Sequence, residues 1–186
     1  MKDEEKAYNA RSQARSKHSL LFRGDEAFHE SSLLSYIAGF LDGDGSIMAQ
    51  LVSRKDYKLR YQIRTSVVFY QKSTHHDFLL WLKEQLGYGY VRMRNDGMSE
   101  YVVVGFREVS YVLTLLYPFL RLKKVLASEV LDIIKQHPEQ RKMTVSILIK
   151  LSKLVDKTAS FNYSKKRTNT SSTVISYFEE SIKTSP

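Results

Sequence analysis

Ile37-Ala38-Gly39-Phe40-Leu41-Asp42-Gly43-Asp44-Gly45 runs an apolar helix pattern into two aspartates spaced by glycine. Leu33, Leu34, Ile37, Phe40 and Leu41 share one face at helical spacing, and Ser31 or Ser32 is placed to cap the helix start. Gly39 and Gly43 lie four apart with Ala38 beside them, and small residues so spaced let two helix backbones approach closely. Asp44 falls at or just past the C-terminus. That end of the macrodipole is negative, so an aspartate there is disfavoured unless a cation neutralises it. Two copies of the helix packed in parallel would bring two such carboxylates together, with a divalent metal as natural occupant. An EF-hand loop starting at Asp42 is excluded, because Ile47 and Ser53 stand where that loop needs Gly and Glu.

The rest of the chain builds outward from this segment. Ile47, Ala49 and Leu51 alternate with Met48, Gln50 and Val52, a half-buried strand. A polar loop through Ser53, Arg54, Lys55 and Asp56 leads to a second strand over 58–69, with Ile63, Thr65, Val67 and Phe69 inward. Gln71-Lys72-Ser73-Thr74 then initiates a helix carrying Phe78, Leu79, Trp81, Leu82 and Leu86. Strands at 90–94 and 100–104 are joined by Asn95-Asp96-Gly97. A helix over 109–117 stops at Pro118, and more helices follow at 124–136, 144–158 and 171–182. The pattern predicts an α+β fold, αββαββα, with helices covering one side of a four-stranded antiparallel sheet and additional C-terminal helices. Residues 1–29, polar and weakly periodic, read as a flexible charged arm whose Arg11, Arg15, Lys17 and Arg23 could touch phosphate; residues 30–186 form the domain.

Composition narrows the partner. Lys and Arg total 29 against 20 Asp and Glu, a net charge of +9 that suits a polyanion. The absence of Cys excludes disulfides and thiolate metal sites. The longest apolar stretch, 111–120, is too short to span a bilayer and contains Pro118. No signal peptide is visible, and the acidic residues near the start argue against a transit peptide. Only one copy of the nine-residue string occurs, so a two-fold target needs two chains.

That string, followed by Ser46-Ile47, resembles the signature of the LAGLIDADG homing endonucleases, above all the single-motif, homodimeric branch encoded in organellar group I introns. The resemblance runs from about Leu33 to the C-terminus. It implies a double-strand DNA endonuclease with a long pseudopalindromic target, dimerising through the motif helix, with Mg²⁺ as cofactor and Mn²⁺ or Ca²⁺ able to take its place. It also implies encoding in an organelle, chloroplast before mitochondrion. A non-cutting RNA maturase on the same scaffold, and an unrelated basic scaffold protein of a ribonucleoprotein, remain the alternatives.

The outward sheet residues suit a groove. Gln50, Arg54, Gln62, Arg64, Arg92 and Arg94, with Glu100 near the sheet's end, are the types that pair with base edges, and Met48, Tyr57, Val68 and Val102 add apolar or stacking contacts. Ser66 shares the same face. The resemblance implies that this face lies in the DNA major groove as a saddle, and that Lys165 and Lys166 contact the backbone. It implies further that Asp44 from each subunit binds the metals with the Gly43 carbonyl, that Gln71 orients water, and that Lys123 stabilises developing negative charge. Asp42 is expected to support the motif helix. His75 departs from the family, which carries Arg or Lys there, and this puts rate and pH dependence in question. Adjacent residues of a helix do not share a face, so His75-His76-Asp77 is not read as a metal motif.

Overall fold

The computed structural model describes residues 24–138, 143–161 and 167–183. The elements run α1 (Gly24–Asp44), β1 (Gly45–Ser53), β2 (Tyr61–Lys72), a 3-10 turn (Ser73–His75), α2 (His76–Leu86), β3 (Tyr90–Met93), β4 (Met98–Val104), α3 (Phe106–Leu116), α4 (Lys124–Gln136), α5 (Val145–Ala159) and α6 (Ser171–Lys183). The strands form one antiparallel sheet in the order β1-β2-β4-β3, the expected αββαββα unit with three helices added.

Alternation decides which face is covered. Ile47, Ala49, Leu51, Ile63, Val67, Phe69, Tyr101 and Val103 join Ile37, Ala38 and Leu41 of α1, and the apolar faces of α2 and α3, in one buried core. Phe69 stacks between Phe40 and Tyr101, with ring centroids 5.9 and 5.6 Å away. Helix α5 packs on β1 and α4, and α6 on α5. On the opposite face of the sheet Gln50 and Arg64 are exposed among the described residues.

Several boundaries differ from the sequence reading. Helix α1 starts at Gly24, so Ser31 and Ser32 sit within it rather than capping it, and the Ser35 hydroxyl donates to the Ser31 carbonyl at 2.7 Å. Strand β2 continues through Gln71 and Lys72, which pair with Ser99 and Met98, and Ser73 N–H donates to the Gly97 carbonyl at 2.9 Å. Ladder bonds to β4 thus override the helix-start signal of Gln71–Thr74, and α2 begins at His76. Helix α3 begins directly after Gly105, whose φ of 115° breaks the strand. Arg11, Arg15, Lys17, Arg23, Lys165 and Lys166 lie outside the described residues. Among the described residues no helix is long and apolar enough to cross a membrane.

Candidate active site and nucleic-acid interface

Helix α1 passes into β1 with no linker, which fixes Asp44 at the junction. The turn requires glycine at position 45, because a Cβ there would stand 2.5 Å from Leu41 Cδ1 and 2.9 Å from the Leu41 carbonyl oxygen. Asp44 is exposed. Gln71, at the end of β2, reaches it with Nε2 3.4 Å from Oδ2.

Asp42 points the other way and is nearly buried, at 9% exposure. Its carboxylate accepts the backbone N–H groups of Arg121, Leu122 and Lys123 at 2.7, 3.1 and 2.9 Å. These lead into α4, so Asp42 neutralises the positive end of a helix some 80 residues away in sequence. The expectation that Asp42 supports the motif helix is therefore sharpened: it ties the end of α1 to the start of α4. Asp42→Ala leaves three N–H groups without this acceptor and is expected to lower stability by about 3 kcal/mol, read as a lower denaturant midpoint with unchanged slope.

Lys123 completes the junction. Its Nζ donates to the Leu41 carbonyl at 3.0 Å and to the Asp42 carbonyl. A cation at the carbonyl end of α1 offsets that helix's dipole, which explains a lysine at the otherwise unfavourable start of α4. Burial pulls its pKa down from the ordinary lysine value, against the opposing pull of Asp42 and Asp44. An ammonium has three donors, and two are engaged, so one remains for a ligand.

Asp44, Gln71 and Lys123 thus come together. His75 does not join them; it is exposed on the 3-10 turn. Its neighbour His76 faces inward instead, with Nδ1 3.1 Å from Ser99 Oγ, which lies 3.0 Å from Ser73 Oγ. Among the described residues no group of three or more His, Cys, Asp or Glu could hold a metal; of the two carboxylates at this end of the helix, Asp42 is engaged by the backbone of Arg121, Leu122 and Lys123, and Asp44 stays exposed. The donors present are Asp44, whose carboxylate is not taken by Lys123, and the exposed Gly43 with a carbonyl in the last turn, where intrahelical partners run out. Such hard oxygen donors fit a Mg²⁺- or Ca²⁺-type ion.

On the uncovered sheet face Gln50, Arg54, Tyr57, Arg64, Arg92 and Arg94 are exposed, and Met48 and Gln62 are half-buried. Ser66, Val68, Glu100 and Val102 were expected to make contacts here as well. They lie at 3, 4, 5 and 4% exposure, because each is flanked by strands on both sides, Ser66 by Met48 and Val104, and Val68 by Ser46 and Val102. They make the floor rather than the reading edge. Glu100 in particular is engaged by Arg92 and, at 3.6 Å, by Arg94, and so is not an open acceptor for cytosine.

Sequence reasoning missed three groups on this face. Tyr70 is half-buried beside Glu100 with its hydroxyl bonded to Ser46, and burial first, then Glu100, raises its pKa. Asp56 pairs with Arg54 and Asp96 with Arg94, at 2.6 and 2.7 Å. The repeated Arg-x-Asp spacing at 54–56 and 94–96 is the signal that could have found the last two.

The family model for LAGLIDADG endonucleases matches residues 37–137, from the start of the motif to the end of α4. The chain belongs to the LAGLIDADG endonuclease family. It is 45% identical to DNA endonuclease I-CvuI of Chlorella vulgaris over 141 residues, 76% of this chain and 86% of that protein. To DNA endonuclease I-CreI of Chlamydomonas reinhardtii it is 37% identical over 161 residues, 85% of this chain and 98% of that protein. A crystal structure of I-CvuI bound to its target in the presence of Ca superposes with a TM-score of 0.78 at 42% identity, covering 82% of this chain and 96% of that one. The archaeal intron-encoded I-Vdi141I, solved with DNA, shares the fold at TM-score 0.70 and 22% identity over 83% of this chain and 97% of that one.

One more feature of α1 bears on assembly. A Cβ built on Gly39 or Gly43 meets nothing within 4 Å. Both glycines are exposed, and Tyr36 beside them is 55% exposed. Among the described residues no packing calls for glycine at these two positions of the helix, where each is unfavourable by about 1 kcal/mol relative to Ala.

Proposed function

We propose that the protein is a homodimeric, site-specific double-strand DNA endonuclease of the homing type, dependent on a divalent cation. The observation that carries this reading is the convergence of Asp44, Gln71 and Lys123 at the end of a helix whose exposed glycine strip faces outward. Two copies of α1 packed along Gly39 and Gly43 bring two Asp44 carboxylates to the twofold axis, at the centre of a continuous saddle. The exposed Leu122, at 81%, and Val125, at 57%, lie at the start of α4, beside the same junction, and extend the apolar rim of that interface.

Asp44 and the Gly43 carbonyl would hold Mg²⁺, with Mn²⁺ or Ca²⁺ as substitutes; the ion supplies charge neutralisation at the phosphate and lowers the pKa of a bound water. The chain's own residues do the rest. Gln71 donates to Asp44 through Nε2, which leaves its Oε1 to orient an attacking water; an amide is too weak a base to remove the proton itself. Lys123 presents its remaining donor to the departing oxygen. His75 stands exposed on the 3-10 turn and takes no part in this group.

The sheet reads sequence with Met48, Gln50, Arg54, Tyr57, Gln62, Arg64, Arg92 and Arg94, over a floor of Ser66, Val68, Glu100 and Val102. Among the described residues, Arg64 makes no ion pair, unlike Arg54, Arg92 and Arg94, and is the readiest to meet a base. Lys165, Lys166 and the basic residues ahead of α1 are assigned to phosphates. A six-residue strand covers roughly 20 Å, so two saddles span about two turns of duplex, matched to a pseudopalindrome. Encoding within a group I intron of a chloroplast, or else a mitochondrion, belongs to the same reading, and the likeness to endonucleases of Chlorella and Chlamydomonas supports it.

The test incubates the protein with a randomised duplex library and Mg²⁺ and sequences the cleaved ends. Selection of one pseudopalindromic site cut on both strands is expected, with no cutting in EDTA. Salt-sensitive binding without cleavage would favour the RNA maturase or scaffold reading instead.

A further inference from the structure

Arg54 is held unusually completely for an exposed side chain. Its Nε donates to Asp56 Oδ1 at 2.9 Å and its Nη2 to Asp56 Oδ2 at 2.6 Å, a fork-to-carboxylate pair. Its Nη1 donates to Gln62 Oε1 at 3.3 Å, and its guanidinium carbon lies 5.7 Å from the Tyr57 ring centroid. The loop beneath is closed by backbone bonds from Arg54 N–H to the Arg60 carbonyl, Tyr57 N–H to the Arg54 carbonyl and Arg60 N–H to the Tyr57 carbonyl, at 2.7, 3.1 and 2.9 Å. Arg60 takes a left-handed φ of 58° to close it, and its Nη1 donates to the Lys55 carbonyl at 2.7 Å.

The donor count is informative. A guanidinium has five N–H groups. Asp56 takes the Nε hydrogen and one on Nη2, and Gln62 takes one on Nη1. One hydrogen is left on each terminal nitrogen, and two terminal N–H groups can meet guanine N7 and O6 in a bidentate contact. A surface pair of this kind adds little to stability, so stability does not account for an aspartate beside an arginine on a face meant to meet a polyanion.

We propose that Asp56 is a positioning residue for base reading: it fixes the Arg54 fork end-on toward the major groove, so that Arg54 selects guanine at one position in each outer half-site. The proposal deepens the endonuclease reading and rests on it. Hydrogen bonding from Arg54 holds the Asp56 pKa down at about 2, so the carboxylate stays charged throughout the working range. The same carboxylate repels phosphate, and it therefore also limits binding of Arg54 to the backbone of unrelated sequences.

The experiment selects cleaved targets from a library randomised across the half-site, using wild type, Arg54→Ala, Asp56→Asn and Arg64→Ala. Arg54→Ala locates the position Arg54 reads, where wild type is expected to prefer guanine about tenfold or more. Asp56→Asn, of the same shape without the charge, is expected to lose about fivefold or more of that preference at that position alone, and to bind unrelated duplex more tightly. Arg64→Ala shifts a different position and reports on the endonuclease reading independently. Unchanged guanine preference in Asp56→Asn overturns the positioning role, as does a uniform loss at every position. A wild-type library with no selected site overturns the endonuclease reading and this role with it.

Discussion

Asp44→Asn is expected to abolish Mg²⁺-dependent cleavage while leaving specific DNA binding intact. The substitution keeps shape and removes the charge that holds the cation. Charge neutralisation by a bound metal is worth several kcal/mol in the transition state, so the cleavage rate should fall by about 10³-fold or more. Binding is carried by the saddle and by phosphate contacts elsewhere, and a gel-shift titration should register little change. The geometry makes the prediction specific to Asp44. Asp42, two residues earlier, is spent on the backbone of Arg121, Leu122 and Lys123, and its loss should appear as instability. Single-turnover cleavage beside denaturant unfolding separates the two aspartates. Full cleavage by Asp44→Asn would remove the active-site assignment.

Gly39→Leu is expected to move folding and function in opposite directions. Among the described residues nothing lies within 4 Å of a Cβ at this position, so the Cβ is unobstructed, and replacing a mid-helix glycine by a good helix former stabilises the helix by up to about 1 kcal/mol. The same side chain separates two helices that must touch. The folded chain should therefore keep or raise its unfolding midpoint, sediment as a monomer, and lose double-strand cleavage altogether. A dimeric, active Gly39→Leu protein would mean that the copies associate through another surface.

The sequence disclosed more of the fold than of the site's wiring, and the reasons are physical. Period-two alternation is written residue by residue, so the inward set Ile47, Ala49, Leu51, Ile63, Val67 and Phe69 was legible, and the helix pattern marked α1 through α6. Boundaries shifted where a tertiary bond outweighed a local signal, as when pairing with Ser99 and Met98 drew Gln71 and Lys72 into β2. At the site, local spacing and family resemblance named Asp44, Gln71 and Lys123. The bond from Asp42 to Lys123 N–H crosses 81 residues, and no local pattern announces it. Burial of Ser66, Val68, Glu100 and Val102 was equally invisible, because facing outward and being exposed diverge where a strand is paired on both sides.

The claim on which the account stands is that two chains build one centre, each giving a single aspartate. Mixed dimers of wild type and Asp44→Asn, isolated through two different tags and assayed on supercoiled plasmid carrying the selected site, test it most directly. One remaining carboxylate cannot hold the shared cations, so the mixed dimer is expected neither to linearise nor to nick the plasmid at an appreciable rate. Efficient nicking of one strand, at half the wild-type dimer's total rate, would show two independent centres and contradict the account.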